Sequence, residues 1–103
     1  FRAAFEAEYK AAADVYAVQG WDAAALLDAG LKAVGGDASK RDALNAAISR
    51  ATFNSPRGPF KLSAAHNPVQ NFYLREFKSG ANRFVRNAVP ALADPGTGCR
   101  LGA

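Results

Sequence analysis

Apolar residues recur around the whole circumference of the segment Asp14–Val34. Val15, Val18, Trp21, Ala25 and Leu26 mark one helical face, while Leu27, Leu31 and Val34 carry the apolar character onward around the cylinder. Alanines fill much of the remainder. A surface helix ordinarily shows one apolar stripe of limited width. A helix that is greasy on nearly all sides belongs inside a larger body, so these residues are expected to form part of a bigger protein. Asp14 can cap the start of the helix, where a carboxylate meets unpaired amides. Gly35-Gly36 stops it, because glycine readily takes the left-handed conformation beyond a helix end. Asp22 lies inside this apolar run. A buried carboxylate needs partners, and hydrogen bonds from a neighbouring loop are expected.

The flanking pattern divides into zones. Phe1, Phe5 and Tyr9 fall at i, i+4 and i+8, so residues 1–12 are expected to form an amphipathic helix. Ser39-Lys-Arg-Asp42 resembles a capping box with Asp in place of Glu. Leu44, Ala47, Ile48 and Ala51 follow at helical spacing, which predicts a third helix from about residue 40 to 51. Asn54-Ser-Pro-Arg-Gly-Pro59 then reads as a loop. Phe60 and Leu62 alternate with Lys61 and Ser63 as in a short strand. His66-Asn-Pro68 marks a turn, and Val69–Phe77 is rich in β-branched and aromatic residues, as a strand should be. After a turn at Lys78–Asn82, Arg83–Val89 is its hairpin partner, and Pro90 onward reads as an irregular tail.

Charge and composition narrow the function classes without choosing one. The chain has 103 residues, 50% of them hydrophobic, with a net charge of +4. Its 13 Lys and Arg are scattered among 9 acidic residues, and no basic helix, zinc-finger spacing or RNA-recognition signature appears. A nucleic-acid partner is therefore not expected. No run of 18 or more apolar residues free of charge exists, so no membrane-spanning helix is expected either. The start has no initiator methionine, basic n-region or apolar h-region, which places any secretion signal outside these residues. His66 is the single histidine and Cys99 the single cysteine, too few for a metal cluster. Cys99 reads as an incidental thiol or as one that pairs with sequence outside this stretch in a secreted parent. Asp22 and Asp28 lie on different helix faces and are not an acid–base pair. With no phosphate loop, nucleophile elbow or Cys–His pairing, catalytic residues, metal ligands and cofactors are all expected to be absent.

Five stretches follow one another in a telling order: Asp14-Val-Tyr-Ala-Val-Gln-Gly-Trp-Asp-Ala-Ala24, Gly35-Gly-Asp37, Phe53-Asn-Ser-Pro-Arg-Gly-Pro-Phe60, His66-Asn-Pro-Val-Gln-Asn-Phe-Tyr-Leu-Arg-Glu76 and Asp94-Pro-Gly-Thr-Gly-Cys99. Their succession resembles the C-terminal third of the type I periplasmic solute-binding proteins of branched-chain amino acid-type ABC transporters. The resemblance covers essentially the whole chain. It implies an α/β fold, as the C-terminal fragment of a two-lobed type I periplasmic-binding-protein fold, here three helices followed by short strands and a β-hairpin.

Residues 1–70 would be the terminal part of lobe 1. Residues 71–103 would cross the hinge near Asn71–Tyr73 and supply a hairpin in lobe 2 and the C-terminal tail. The apolar second helix would pack on a sheet contributed from elsewhere in the protein. The same resemblance implies a periplasmic location, a partner permease in the membrane and a small solute, either an amino acid or an aromatic acid. By position it makes Tyr16, Gln19 and Gly20 the candidate ligand-binding residues. Tyr16 would offer a ring and a hydroxyl, Gln19 a polar reach one turn later, and Gly20 close backbone approach. Against these stand plain packing for Tyr16 and a solvated surface for Gln19. Trp21 and the Arg57-Gly-Pro-Phe60 loop are assigned to structure, and the residues that grip an amino acid's charged ends lie mostly upstream in the family. Standing alone, the chain is expected to self-associate through its apolar helix. The alternative to a receptor is a freestanding α+β protein-interaction module.

Overall fold

The computed structural model describes residues 1–100. Three helices, α1 (Arg2–Tyr9), α2 (Val15–Ala33) and α3 (Arg41–Ser49), precede four strands, β1 (Phe53–Ser55), β2 (Gly58–Leu62), β3 (Pro68–Lys78) and β4 (Ala81–Leu92). The strands lie in the order β1-β2-β3-β4, and each adjacent pair is antiparallel. Helices first and a terminal hairpin last is the order the sequence predicts. No helix among the described residues is long and apolar enough to cross a membrane.

Both ends of α2 are set by the residues the sequence singled out. Asp14 Oδ1 accepts the Ala17 N–H at 2.8 Å. At the other end Gly35 and Gly36 take φ of 66° and 80°. Their N–H groups donate to the carbonyls of Lys32 and Leu31 at 3.2 and 2.9 Å, which satisfies two otherwise orphaned carbonyls. One side of α2 receives α3. A Cβ built on Gly30 would lie 2.5 Å from Ile48 Cγ1 and 3.0 Å from Leu44 Cδ1, so this glycine admits the apolar ridge of the third helix. Another side of α2 is bare. Tyr16, Gly20, Ala24, Leu27 and Leu31 recur at i, i+4, i+8, i+11 and i+15 and are all exposed. Trp21 meets the edge of Phe1 with ring centroids 5.5 Å apart, and Phe1, Phe5 and Tyr9 form a ladder along α1.

The structure corrects four expectations. α1 ends at Tyr9 rather than near residue 12, because Lys10 turns left-handed (φ 53°) and closes the helix onto the Glu6 carbonyl. The capping box of α3 does not form. Lys40 is the N-cap without a side-chain bond, and Ser39 instead donates its N–H and hydroxyl to Asp37 Oδ1 at 3.0 and 2.6 Å. The stretch read as a loop holds β1 and the start of β2. Ser55 and Gly58 pair across a Pro56-Arg57 turn, where proline's fixed φ suits the first turn position and Gly58 takes φ 114°. β4 runs through Pro90 to Leu92. It is an edge strand, and its register passes from Val89 to Leu92, so the missing proline N–H interrupts no ladder bond. The β3–β4 turn, Ser79-Gly80, has positive φ at both residues (51° and 75°), as the twist of a two-residue hairpin requires.

The two helical glycines should respond oppositely. Gly30→Val is expected to destabilise by about 2 kcal/mol through overpacking. Gly20→Ala, with nothing within 4 Å of the new Cβ, should stabilise by about 0.5–1 kcal/mol; urea unfolding measures both. Ser39 hydrogen bonds, hydroxyl first and backbone second, hold Asp37 below its ordinary carboxylate range. A depressed pKa means the turn's contribution is present at neutral pH and fades as pH falls through that carboxyl's folded-state pKa. Ser39→Ala should therefore raise the Asp37 pKa toward 3.8 in an NMR titration.

Candidate functional site

Asp22 sits on the buried side of α2 with its side chain 4% exposed. Its partner is Arg57, in the β1–β2 turn. The guanidinium gives two bonds to Asp22 Oδ2, from Nη2 at 2.5 Å and Nε at 3.2 Å. The sequence-based expectation that a loop would satisfy this carboxylate is met by a residue 35 positions away. Oδ1 is buried without a donor among the described residues. Two further bonds fix the turn: Ser55 Oγ accepts the Arg57 N–H at 3.1 Å, and the Tyr73 hydroxyl donates to the Arg57 carbonyl. Gly58 makes room for that hydroxyl, since a Cβ there would stand 3.0 Å from it. One arginine thus joins helix, turn and β3.

The same turn borders a groove of about 1380 Å³ running between the start of the chain, the N-terminal end of α2 and the β3–β4 hairpin. Its walls carry Arg2, Arg57, Arg75 and Arg83 against one carboxylate, Asp14, and Asp14 is engaged as the helix cap. Arg57 is committed to Asp22. No carboxylate of the described residues lies within 4 Å of Arg2, Arg75 or Arg83. Aromatic surface stands beside these cations. Tyr73 and Phe84 meet edge to face at 5.8 Å, and Phe84 is the cross-strand partner of Arg75. Low-dielectric walls with one sign of charge focus the field and favour an anion, and the rings suit an apolar body. A smaller depression of about 510 Å³ lies over β1 and β2 beside the stacked Phe53 and Phe60; among the described residues Lys61 is its only charged lining residue.

The residues singled out on α2 lie elsewhere. From that helix the groove takes Asp14, Val15 and Val18. At about 100° per residue, Tyr16 and Gly20 point to the opposite side, with Gln19 between. The three are neighbours at i, i+3 and i+4, all exposed, and Tyr16 at 74% heads the bare apolar stripe. Arg75, Tyr73 and Phe84 are not among the candidates the sequence offers, although alternation along β3 puts Tyr73 and Arg75 on one face. His66 is a turn residue, as expected, with φ 61° and its N–H on the Ser63 carbonyl. Cys99 has no partner thiol, and the described residues contain no group of side chains suited to a metal ion.

Residues 1–82 match the family model described as periplasmic binding protein. Among solved structures, the chain is similar to a solute-binding protein of an ABC transporter from R. palustris, in complex with benzoate. The two are 65% identical with a TM-score of 0.90, over 96% of this chain and 28% of that one. The chain thus spans little more than a quarter of that relative's length. A search of curated proteins found no match.

Removing one member of a buried ion pair strands the other's charge. Arg57→Ala is expected to cost about 3 kcal/mol, and Asp22→Asn less, because the amide can still accept from the guanidinium. Urea unfolding of both variants checks the order.

Proposed function

The chain belongs to the periplasmic binding protein family, and from that premise we propose that it is part of the solute-capturing receptor of an ABC importer, one that takes a small aromatic carboxylate. The observation that carries this reading is the groove in which Arg75 stands beside Phe84 and Tyr73 with no carboxylate of the described residues within 4 Å of it. A cationic fork beside an apolar ring complements a carboxylate on an aromatic body. The benzoate complex of the 65% identical relative supports the same solute class. Amino acids are the competing class; a carboxylate is the strongest partner for their ammonium group, and the one carboxylate among the groove's described lining residues, Asp14, is already engaged as the helix cap.

In this reading residues 1–70 complete one lobe, and residues 71–103 cross to the other and end in its tail. The bare stripe on α2 is covered by further polypeptide of the same protein, as its width and apolarity require. The receptor works in the periplasm and delivers solute to a membrane permease. No bond is made or broken. Solute binds the closed arrangement of the lobes better than the open one, and so shifts the population toward it. A second reading puts Tyr16, Gln19 and Gly20 against the solute; the open aromatic ring beside an amide favours it.

Calorimetric titration of the full-length protein separates these readings. Benzoate is expected to bind and leucine not. Arg75→Ala should weaken benzoate about tenfold or more, as loss of a charge-assisted hydrogen bond does, and Tyr16→Phe should leave it unchanged. Loss of binding in Tyr16→Phe with none in Arg75→Ala would move the solute to the α2 patch. Leucine binding without benzoate binding would overturn the proposed solute class.

A further inference from the structure

We infer that the chain of contacts Asp22–Arg57–Tyr73 is a positioning device that holds the β3–β4 hairpin in its solute-bound setting. This rests on the receptor reading above. β3 changes partner along its length. Pro68 and Val69 pair with β2, whereas the strand from Gln70 onward pairs with β4. At that changeover the ladder is irregular, with register shifts between Gln70 and Phe72 and between Phe72 and Tyr73. An irregular ladder at a change of partner is where a strand can bend most easily. Side chains brace it on both sides. Asn71 Oδ1 accepts the Ala91 N–H of β4 at 2.8 Å, and the Tyr73 hydroxyl reaches back to the Arg57 carbonyl.

Arg57 can serve as the anchor because its guanidinium is held by a nearly fully buried carboxylate on α2. The bond from Tyr73 therefore ties the bending point of β3 to the rigid helix, through a turn whose own backbone is fixed by Ser55 and Gly58. The relative that this chain matches with a TM-score of 0.90 over 96% of its length is a benzoate complex, and we take the arrangement held here to be the corresponding one. A bond made in the bound setting and broken when the hairpin swings away contributes directly to solute affinity. Tyr73 and Asp22 act here through Arg57, and Asp22 does not line the groove.

The test uses the full-length protein, Tyr73→Phe, Asp22→Ala, which removes the acceptor of the Arg57 guanidinium, and the double variant, with benzoate as probe. Two quantities are read: affinity by calorimetry, and the amide hydrogen-exchange protection that benzoate confers on residues 70–92. Each single variant is expected to weaken benzoate five- to tenfold, the range of one hydrogen bond, and to lose most of the added protection. The double variant should be little worse than either single one, because both cut the same connection. Wild-type affinity and protection in both variants, with only a lower unfolding temperature, would overturn the inference and leave the contacts as plain packing. Weakening by Tyr73→Phe alone, with protection at saturation unchanged, would overturn it in favour of direct contact between hydroxyl and solute. If the wild type does not bind benzoate while a thermal-shift screen finds another solute, the solute class fails. The same variants then decide the positioning role with that solute.

Discussion

A carboxylate inside an apolar helix has to be answered, and the rest of this structure is arranged around the answer. Asp22 could not be buried as an isolated ion. The guanidinium that meets it must come from a segment held against α2, and that segment is the tight β1–β2 turn. Fixing Arg57 fixes the turn, and the turn in turn receives Tyr73 from the strand that leads to the hairpin. Hydrophobic contact alone would leave this junction loose, for the buried apolar set among the described residues is small: Val34, Ala51, Phe60 and Val69. Direction here comes from polar geometry rather than from core volume.

The groove follows from that junction. Its floor is the turn, one wall is the start of α2, and the other is the hairpin. Arg57 borders the groove, yet its charge is consumed inward by Asp22, whereas Arg75 and Arg83 make no ion pair within 4 Å among the described residues, although Glu76 stands across the ladder from Arg83. Spent and unspent arginines have different uses. The first sets shape; the second sets the sign of what can enter. The aromatic rings of Tyr73 and Phe84 add an apolar surface beside the unspent charge, and the two together complement both parts of an amphiphilic anion.

Much of this was legible along the chain. The all-round apolarity of α2 announced a helix that its own neighbours would not cover, and Tyr16, Leu27 and Leu31 stand exposed. The caps of α2 were legible because Asp14 and Gly35-Gly36 act on the backbone next to them. Signals that act at a distance were not. Asp22 advertised the need for a partner, but nothing local distinguished Arg57 from the chain's other basic residues. Ser39 looked like a helix cap and was captured by Asp37, two residues back, which a pattern match does not weigh. Pro56 and Pro90 read as strand breakers, although a turn position and an edge strand both tolerate proline. Arg75 escaped notice because alternation tells which residues share a face but not which face meets the helix.

In the proposed receptor an anionic aromatic solute lies between the start of α2 and the hairpin, with its charge on Arg75. The most direct measurement is a crystal structure of the full-length protein grown with benzoate. The carboxylate is expected within hydrogen-bonding distance of the Arg75 guanidinium and the ring against Phe84 or Tyr73. Benzoate seated instead beside Tyr16 and Gln19, with Arg75 turned to solvent, would contradict it.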